Sequence, residues 1–387
     1  MITTALSRPD WFSPDLAIPN LARRWRDLAS RCQPSFFQDW TWVGCLAAER
    51  YPDPVLAEAF QDGQTVGLAL FGRRRDRPWG ETLSLNETGM PRWDAVFIEH
   101  NGPLVVADGV DGRVVTTRLL QAASAGATRC LALSGVDGAI ADIAAELGGA
   151  VYHQATRTAP YVDFGTLGPL AFIDTLSRNT RHQLRRSNRA YAERGPLDAC
   201  RAETVATGLQ YFAEMVRLHD ITWRARGLEG AFASPEVQRF HRALIDEGLP
   251  RGEVDLIRIA AGGDALGYLM NFSHRGAVSA YQSGFDYGSA GPHMKPGLTS
   301  HYLAIETARA AGARTYDFLA GPSRYKSSFA NAEQDLHWLR VAHVAHPFAW
   351  REGVKRLLHK HRSASPPAIK QLLTDPGYSA EEGHGRG

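Results

Sequence analysis

Lysine is nearly missing from this chain: Lys295, Lys326, Lys355, Lys360 and Lys370 are all there is among 43 basic residues. Arginine, a rigid planar fork, carries the rest of the positive charge, so each lysine stands out as a compact point charge. Cysteine is scarce as well. Cys32, Cys45, Cys130 and Cys200 are scattered without paired spacing, which argues against a disulfide framework or a zinc site. The pairs His343/His346 and His359/His361 lack carboxylate or thiolate company, so no metal is expected. Long apolar runs are absent: nothing approaches the ~18 to 20 residues that a membrane span needs. Met1–Trp11 has no apolar core of signal-peptide length, and the expected location is the cytoplasm. Strong net charge is absent too; at +2 it singles out no partner. What remains is 44% apolar and 22% charged, the make-up of an ordinary globular protein. The length of 387 residues fits two or three domains, each with its own core.

Hydrophobic periodicity gives the order of elements. Asn20–Ala48 reads as two helices around Gln33-Pro34-Ser35. Val55–Phe60 and Val66–Gly72 flank Asp62-Gly63, a strong hairpin turn. A strand at Thr82–Leu85, a helix at Asp111–Ala125, a strand at Arg129–Leu133, a helix at Ile140–Leu147 and an extended run Tyr161–Phe164 follow. The second half predicts helices over Phe172–Gly195, Gly208–Trp223 and Pro235–Asp246. Strands at Val254–Ala260, Leu266–Phe272 and Ala277–Phe285 come next. A helix then runs from Lys295-Pro296-Gly297 to Gly312, and a strand covers Arg314–Leu319. Ala125-Gly126-Ala127 with Leu133 and Gly135 matches Ala311-Gly312-Ala313 with Leu319 and Gly321 at a constant offset. Both halves thus read strand, turn, strand, strand, helix, Gly, strand, the mark of an internal duplication. Tyr325 and Lys326 of the second copy correspond to Ala139 and Ile140 of the first, so the second is expected to be the reactive one.

Three stretches carry charge or chemistry. The turn before Lys295-Pro296-Gly297 leads into a free helix N-terminus, where exposed N–H groups and the dipole favour an anion. Lys295 stands at its lip. Arg178, Arg181, His182, Arg185, Arg186 and Arg189 fall at helical spacing with almost no intervening acid, a pattern that suggests phosphate, CoA or RNA. His219, Trp223, Arg226 and Gly227 form a substrate-pocket pattern, although a lone His on an apolar face is more often a core residue. After Val344 a basic amphipathic helix is expected over Trp350–His361, then a poorly ordered Ser/Pro/Gly tail.

SRNTRHQLRRSNRAYAERG from Ser177, LHDITWRARG from Leu218, KPGL from Lys295 and YDFLAGPSRYKSSF from Tyr316 together resemble the CelD-type acetyltransferase-like domain. That domain belongs to the GNAT superfamily and is akin to the FemAB aminoacyltransferases. The resemblance covers about Leu170–Val344 and implies an α/β fold with tandem GNAT-like domains, each a mixed sheet flanked by helices. The boundaries expected are 1–168 for a degenerate copy, 169–346 for the transferase and 347–387 for the basic helix and tail. It implies transfer of an acyl group from acyl-CoA to an amine of a small molecule or an envelope or saccharide precursor. Two alternatives stay open. Aminoacyl-tRNA could be the donor, held by Arg178–Arg189 and Arg351–Lys360, or the chain could be a non-catalytic partner in polysaccharide synthesis. The Arg/Gln-x-x-Gly-x-Gly/Ala loop of CoA-dependent members is absent; Gly288–Gly291 and Pro296-Gly297 stand near its place. For such a transfer the candidates are Lys326 or Tyr325 to stabilise the oxyanion and Asp286, Asp317 or His219 to serve as base. Lys295, Gly297, Leu298, Thr299 and Ser300 hold the donor. Trp223, Arg226, Tyr281, Ser283, Arg181 and Arg185 meet the acceptor, and no tightly bound cofactor is expected.

Overall fold

The computed structural model describes residues 1–7, 18–50, 53–76, 78–90, 94, 98–126, 128–321 and 324–352. The expected helix Trp350–His361 and the tail after it fall, beyond Glu352, outside the described residues. The chain divides into two compact units. One comprises Met1–Arg157 with the described residues from Asp335 on, and the other Thr158–Gln334.

The first unit opens with β1 (Ile2–Ser7), α1 (Ile18–Ser30) and α2 (Trp40–Arg50). A meander follows of β2 (Pro54–Gln61), β3 (Gln64–Asp76) and β4 (Gly80–Leu85). Asp62 and Gly63 sit at φ 51° and 77°, the left-handed pair that a two-residue hairpin turn requires. The short β5 (Leu104–Val105) adds to β3. Next come α3 (Gly112–Ser124), β6 (Arg129–Val136), α4 (Gly138–Ala145) and β7 (Ala150–Asp163). The Asp111 side chain caps α3 by accepting from the N–H groups of Arg113 and Val114.

The second unit repeats this order. After α5 (Phe172–Thr175) and α6 (Arg178–Ala192) come β8 (Leu197–Arg201), α7 (Val205–Arg224) and α8 (Pro235–Gly248). Then follow β9 (Val254–Ala261), β10 (Asp264–His274), β11 (Ala277–Phe285) and α9 (Pro296–Ala310). The chain continues through β12 (Thr315–Asp317), α10 (Arg324–Phe329) and β13 (Ala332–Ala342). The helix expected over Phe172–Gly195 is split, because Ser177 turns extended and caps α6 through Thr180 N at 3.1 Å.

Within each unit the strands pair in one mixed run. In the first the order is β1-β2-β3-β4-β6-β13, antiparallel except for the parallel pair β4/β6. In the second it is β8-β9-β10-β11-β12-β7, with β11/β12 the parallel pair. The duplication is thus visible as topology. The boundaries differ from those expected: the chain passes between units at Arg157/Thr158 and again at Gln334/Asp335. Residues 158–168 belong to the second unit, and His337–Ala342 pair with β6 in the first.

Neighbouring residues of β10 show the layering in the second unit. Leu269 joins the core with Leu184 of α6 and Ile305 of α9. Tyr268 meets Tyr211 of α7, with ring centroids 5.4 Å apart. Successive strand residues point to opposite faces, so α6 and α9 cover one face and α7 the other. Where α7 crosses β11 the backbones nearly touch: a Cβ on Gly284 would lie 2.2 Å from the Met215 carbonyl oxygen.

Candidate active site

The parallel pairing of β11 with β12 ends at Ser279 and Asp317, yet β11 runs on to Phe285. Among the described residues no strand pairing joins the rest of β11 to the chain after Asp317, so the two part in a V. A bulge lies just past the parting. Opposite β10 the register passes from Asn271/Ala280 to Met270/Gln282, leaving Tyr281 as the extra residue.

On the other arm of the V the chain turns sharply. Leu319 is buried at 4% exposure and left-handed at φ 61°, a conformation that costs a side-chain-bearing residue about 1 kcal/mol or more. Both ends of this corner are tied. Asp317 Oδ1 accepts from Leu319 N at 2.6 Å, and Lys326 Nζ donates to Leu319 O at 3.2 Å and Ala320 O at 3.3 Å. Lys326 therefore folds back over the end of β12 from α10. The projecting side chain that its place after a turn suggests is not what forms.

His301 of α9, a residue that carries no motif in the sequence, sits at the base of the V. Its ring stacks on Tyr325 at 4.5 Å and 18°, and it meets Phe285 and Phe318 edge-on. Its Nδ1 lies 3.4 Å from the Tyr316 hydroxyl, while Nε2 has no hydrogen-bond partner. Burial first, and then the neighbouring Lys326 ammonium, hold the imidazole down at about 3, so it is neutral near pH 7.

The start of α9 rests on α6. Ser187 Oγ accepts from Lys295 N at 2.9 Å and sits 2.8 Å from Thr299 Oγ1, which also donates to Asn188. Lys295 Nζ donates to Gln183 Oε1 at 3.1 Å. No side chain caps this end of the helix. Lys295, Gly297 and Leu298 are half-buried at the lip, whereas Thr299 and Ser300 point inward and are fully buried. Thr299 N is already bonded to Lys295 O. Of the five residues expected to hold a donor, the last two thus serve the interior.

Residues 178–327 match a family model described as an acetyltransferase (GNAT) domain. No curated protein matches the chain. Among solved structures, FemX aligns with a TM-score of 0.56 at 12% identity, covering 87% of this chain and 98% of FemX. L-PGS from Bacillus licheniformis aligns with a TM-score of 0.52 at 12% identity, over 91% and 98% of the two chains. At such identities the likeness is one of fold, and the fold here is α/β in two units of like topology, with the GNAT model matching the second.

The remaining expected residues distribute unevenly around the V. Asp317, Tyr325 and Lys326 come together at the V. Tyr281 and Ser283 lie on β11 beyond the parting. His219 is 6% exposed inside an aromatic cluster, 5.6 Å from the Trp223 ring and 5.1 Å from Phe232. Burial holds its imidazole at about 4. Arg226 follows half-buried in the turn after α7. Asp286 is occupied by a turn, accepting from Gly288 N, Ser289 N and Ser289 Oγ. Burial pushes its carboxyl up, but these hydrogen bonds outweigh burial and leave it lowered. On α6, Arg178, His182, Arg185, Arg186 and Arg189 are exposed and Arg181 half-buried. Arg181 donates to Asp174 O, Arg185 lies 3.7 Å from the Asp174 carboxylate, and Arg186 bonds His293.

The first unit treats the equivalent V differently. Between the ends of β4 and β6 lies Asn101, whose Nδ2 donates to Leu85 O and Ser134 O, both at 3.0 Å. Asn101 N donates to Gly135 O at 2.9 Å, and Asn86 Nδ2 donates to Asn101 Oδ1. Gly135 is left-handed, and a Cβ there would fall 2.3 Å from Ile98 O. The chain itself fills this gap.

Proposed function

We propose that the second unit is an N-acyltransferase that moves an acyl group from acyl-CoA to an amine of a small molecule or an envelope or saccharide precursor. The observation carrying this reading is the V between β11 and β12, followed directly by the uncapped start of α9 with Lys295 beside it. The acyl end of an extended donor fits the parted strands, and its pyrophosphate fits the N–H groups of Gly297 and Leu298. Lys295 supplies the counter-charge.

In the reaction a neutral amine attacks the thioester carbonyl, forming the new C–N bond and a tetrahedral oxyanion. Collapse breaks the C–S bond, and the proton lost by nitrogen ends on the departing thiolate. Lys326 and Tyr325 stand nearest the place where the oxyanion forms. Of the three proposed bases, Asp317 is the one at the V, and it takes the amine proton through a water relay. Asp286 and His219 are committed to a turn and to the aromatic cluster.

Calorimetry with CoA tests the reading. Wild type should bind, and Lys295→Glu should weaken binding by more than about tenfold. Equal affinity in the two proteins removes this donor site. The exposed arginine face of α6 favours one second reading, an aminoacyl-tRNA donor. In that case activity falls steeply with salt and is lost on RNase treatment. A non-catalytic partner would retain its role in Lys326→Ala.

A further inference from the structure

His301 is a buried polar side chain of this region that the mechanism above leaves unused. Its surroundings limit what it can do. Asn271 is 1% exposed on β10 and hydrogen-bonds the Tyr316 phenol. The Asn271 carbonyl oxygen has no partner, so its amide nitrogen is the donor. With its oxygen accepting from Asn271, the Tyr316 hydroxyl proton is free to point at His301 Nδ1, 3.4 Å away. A neutral imidazole that accepts at Nδ1 carries its proton on Nε2. That Nε2–H is buried and unpartnered. An orphaned buried donor costs about 1–3 kcal/mol, so one retained in a folded protein calls for a reason, and a catalytic role is one such reason. His301 is 2% exposed and packed between Phe285 and Phe318, the first at the end of β11 and the second directly after β12. Both rings border the V, the gap in the sheet beside His301.

We infer that His301 is a further catalytic residue, whose Nε2–H donates a hydrogen bond to the carbonyl oxygen of the bound acyl group, with Tyr316 and Asn271 as positioning residues that fix its tautomer. The inference rests on the acyl-donor reading above. The imidazole keeps its proton throughout: it polarises the carbonyl and meets the growing negative charge on oxygen. Neutrality matters for this role, because an imidazolium packed beside the Lys326 ammonium would add a second buried cation. The Tyr325 ring, stacked on the imidazole, holds its plane.

Two measurements test this. In ¹⁵N-histidine NMR spectra of the full chain, His301 should remain the Nε2–H tautomer without titrating from about pH 5 to 8. Tyr316→Phe should mix in the other tautomer. An Nδ1–H ring, or one that titrates in this range, overturns the inference whatever the donor is. Calorimetry then compares acetyl-CoA with CoA. Wild type should prefer acetyl-CoA about fivefold or more, a difference of ~1 kcal/mol. His301→Leu should lose that preference while binding CoA as before. His301→Gln, whose amide nitrogen reaches the Nε2 position, should keep most of it and guards against a leucine variant that folds poorly. Preference retained in His301→Leu, or lost alike in both variants, overturns the role. If wild type binds neither ligand, the acyl-CoA reading fails first and takes this inference with it.

Discussion

At the corner after β12 single residues oppose one another. Leu319 would be relieved by glycine, since its φ of 61° costs a leucine about 1 kcal/mol or more. It is also buried, and emptying a leucine site costs ~2–5 kcal/mol. The cavity wins, so Leu319→Gly should lower stability by about 2–3 kcal/mol in urea titrations, and a stabilised variant would show that strain dominates. Lys326 ties the same corner from the carbonyl side. Lys326→Met should cut turnover by roughly 10² to 10³, with Lys326→Arg a poor rescue because the fork cannot occupy the same point. Retention of more than about a third of turnover would leave Lys326 a structural clamp only. His219 supplies a pH dependence. Its folded value of about 4 lies below the ordinary 6.5, so the unfolded chain takes up the proton first. The stabilisation is complete above 6.5 and is lost as pH falls towards 4, up to about 3 kcal/mol in all. His219→Phe should flatten the fall in urea midpoint between those limits; an unchanged slope would mean the ring is already protonated when folded.

Among the elements, α7 and β11 approach very closely. With 2.2 Å between a Gly284 Cβ and the Met215 oxygen, Gly284→Ala must lift the helix from the strand. The cost should be about 3 kcal/mol or more, read as a lowered melting temperature, and a near-neutral result would show that α7 can slide. The elements differ in how much of them the sequence discloses. β11 forms over the expected Ala277–Phe285 because its ends are marked by Gly276 and by the turn that Asp286 caps. β1 and β8 carry no comparable sign. Their residues are mostly exposed or half-buried, so no alternation of apolar and polar residues announces them.

For the whole molecule, membership of the last strand in each sheet is the decisive feature. A fragment ending at Gly168 carries every element of the first copy and still lacks Asp335–Ala342, leaving β6 with a bare edge. Expressed alone, 1–168 should aggregate, as judged by light scattering after purification, and a monodisperse cooperative fragment would show that β13 is dispensable. The sequence by itself determined the repeated order of elements, because hydrophobic period, turn glycines and caps are local properties. It also disclosed the lysine at the start of α9 and the arginine face of α6, since charge is written residue by residue. Only the tertiary structure decided which strands pair, where the units divide, that Asn101 fills one V, and that the Nε2 of His301 is left without a partner beside the other. Those facts depend on residues distant in the chain meeting in space, and no local pattern encodes the partner of a strand edge or a buried N–H.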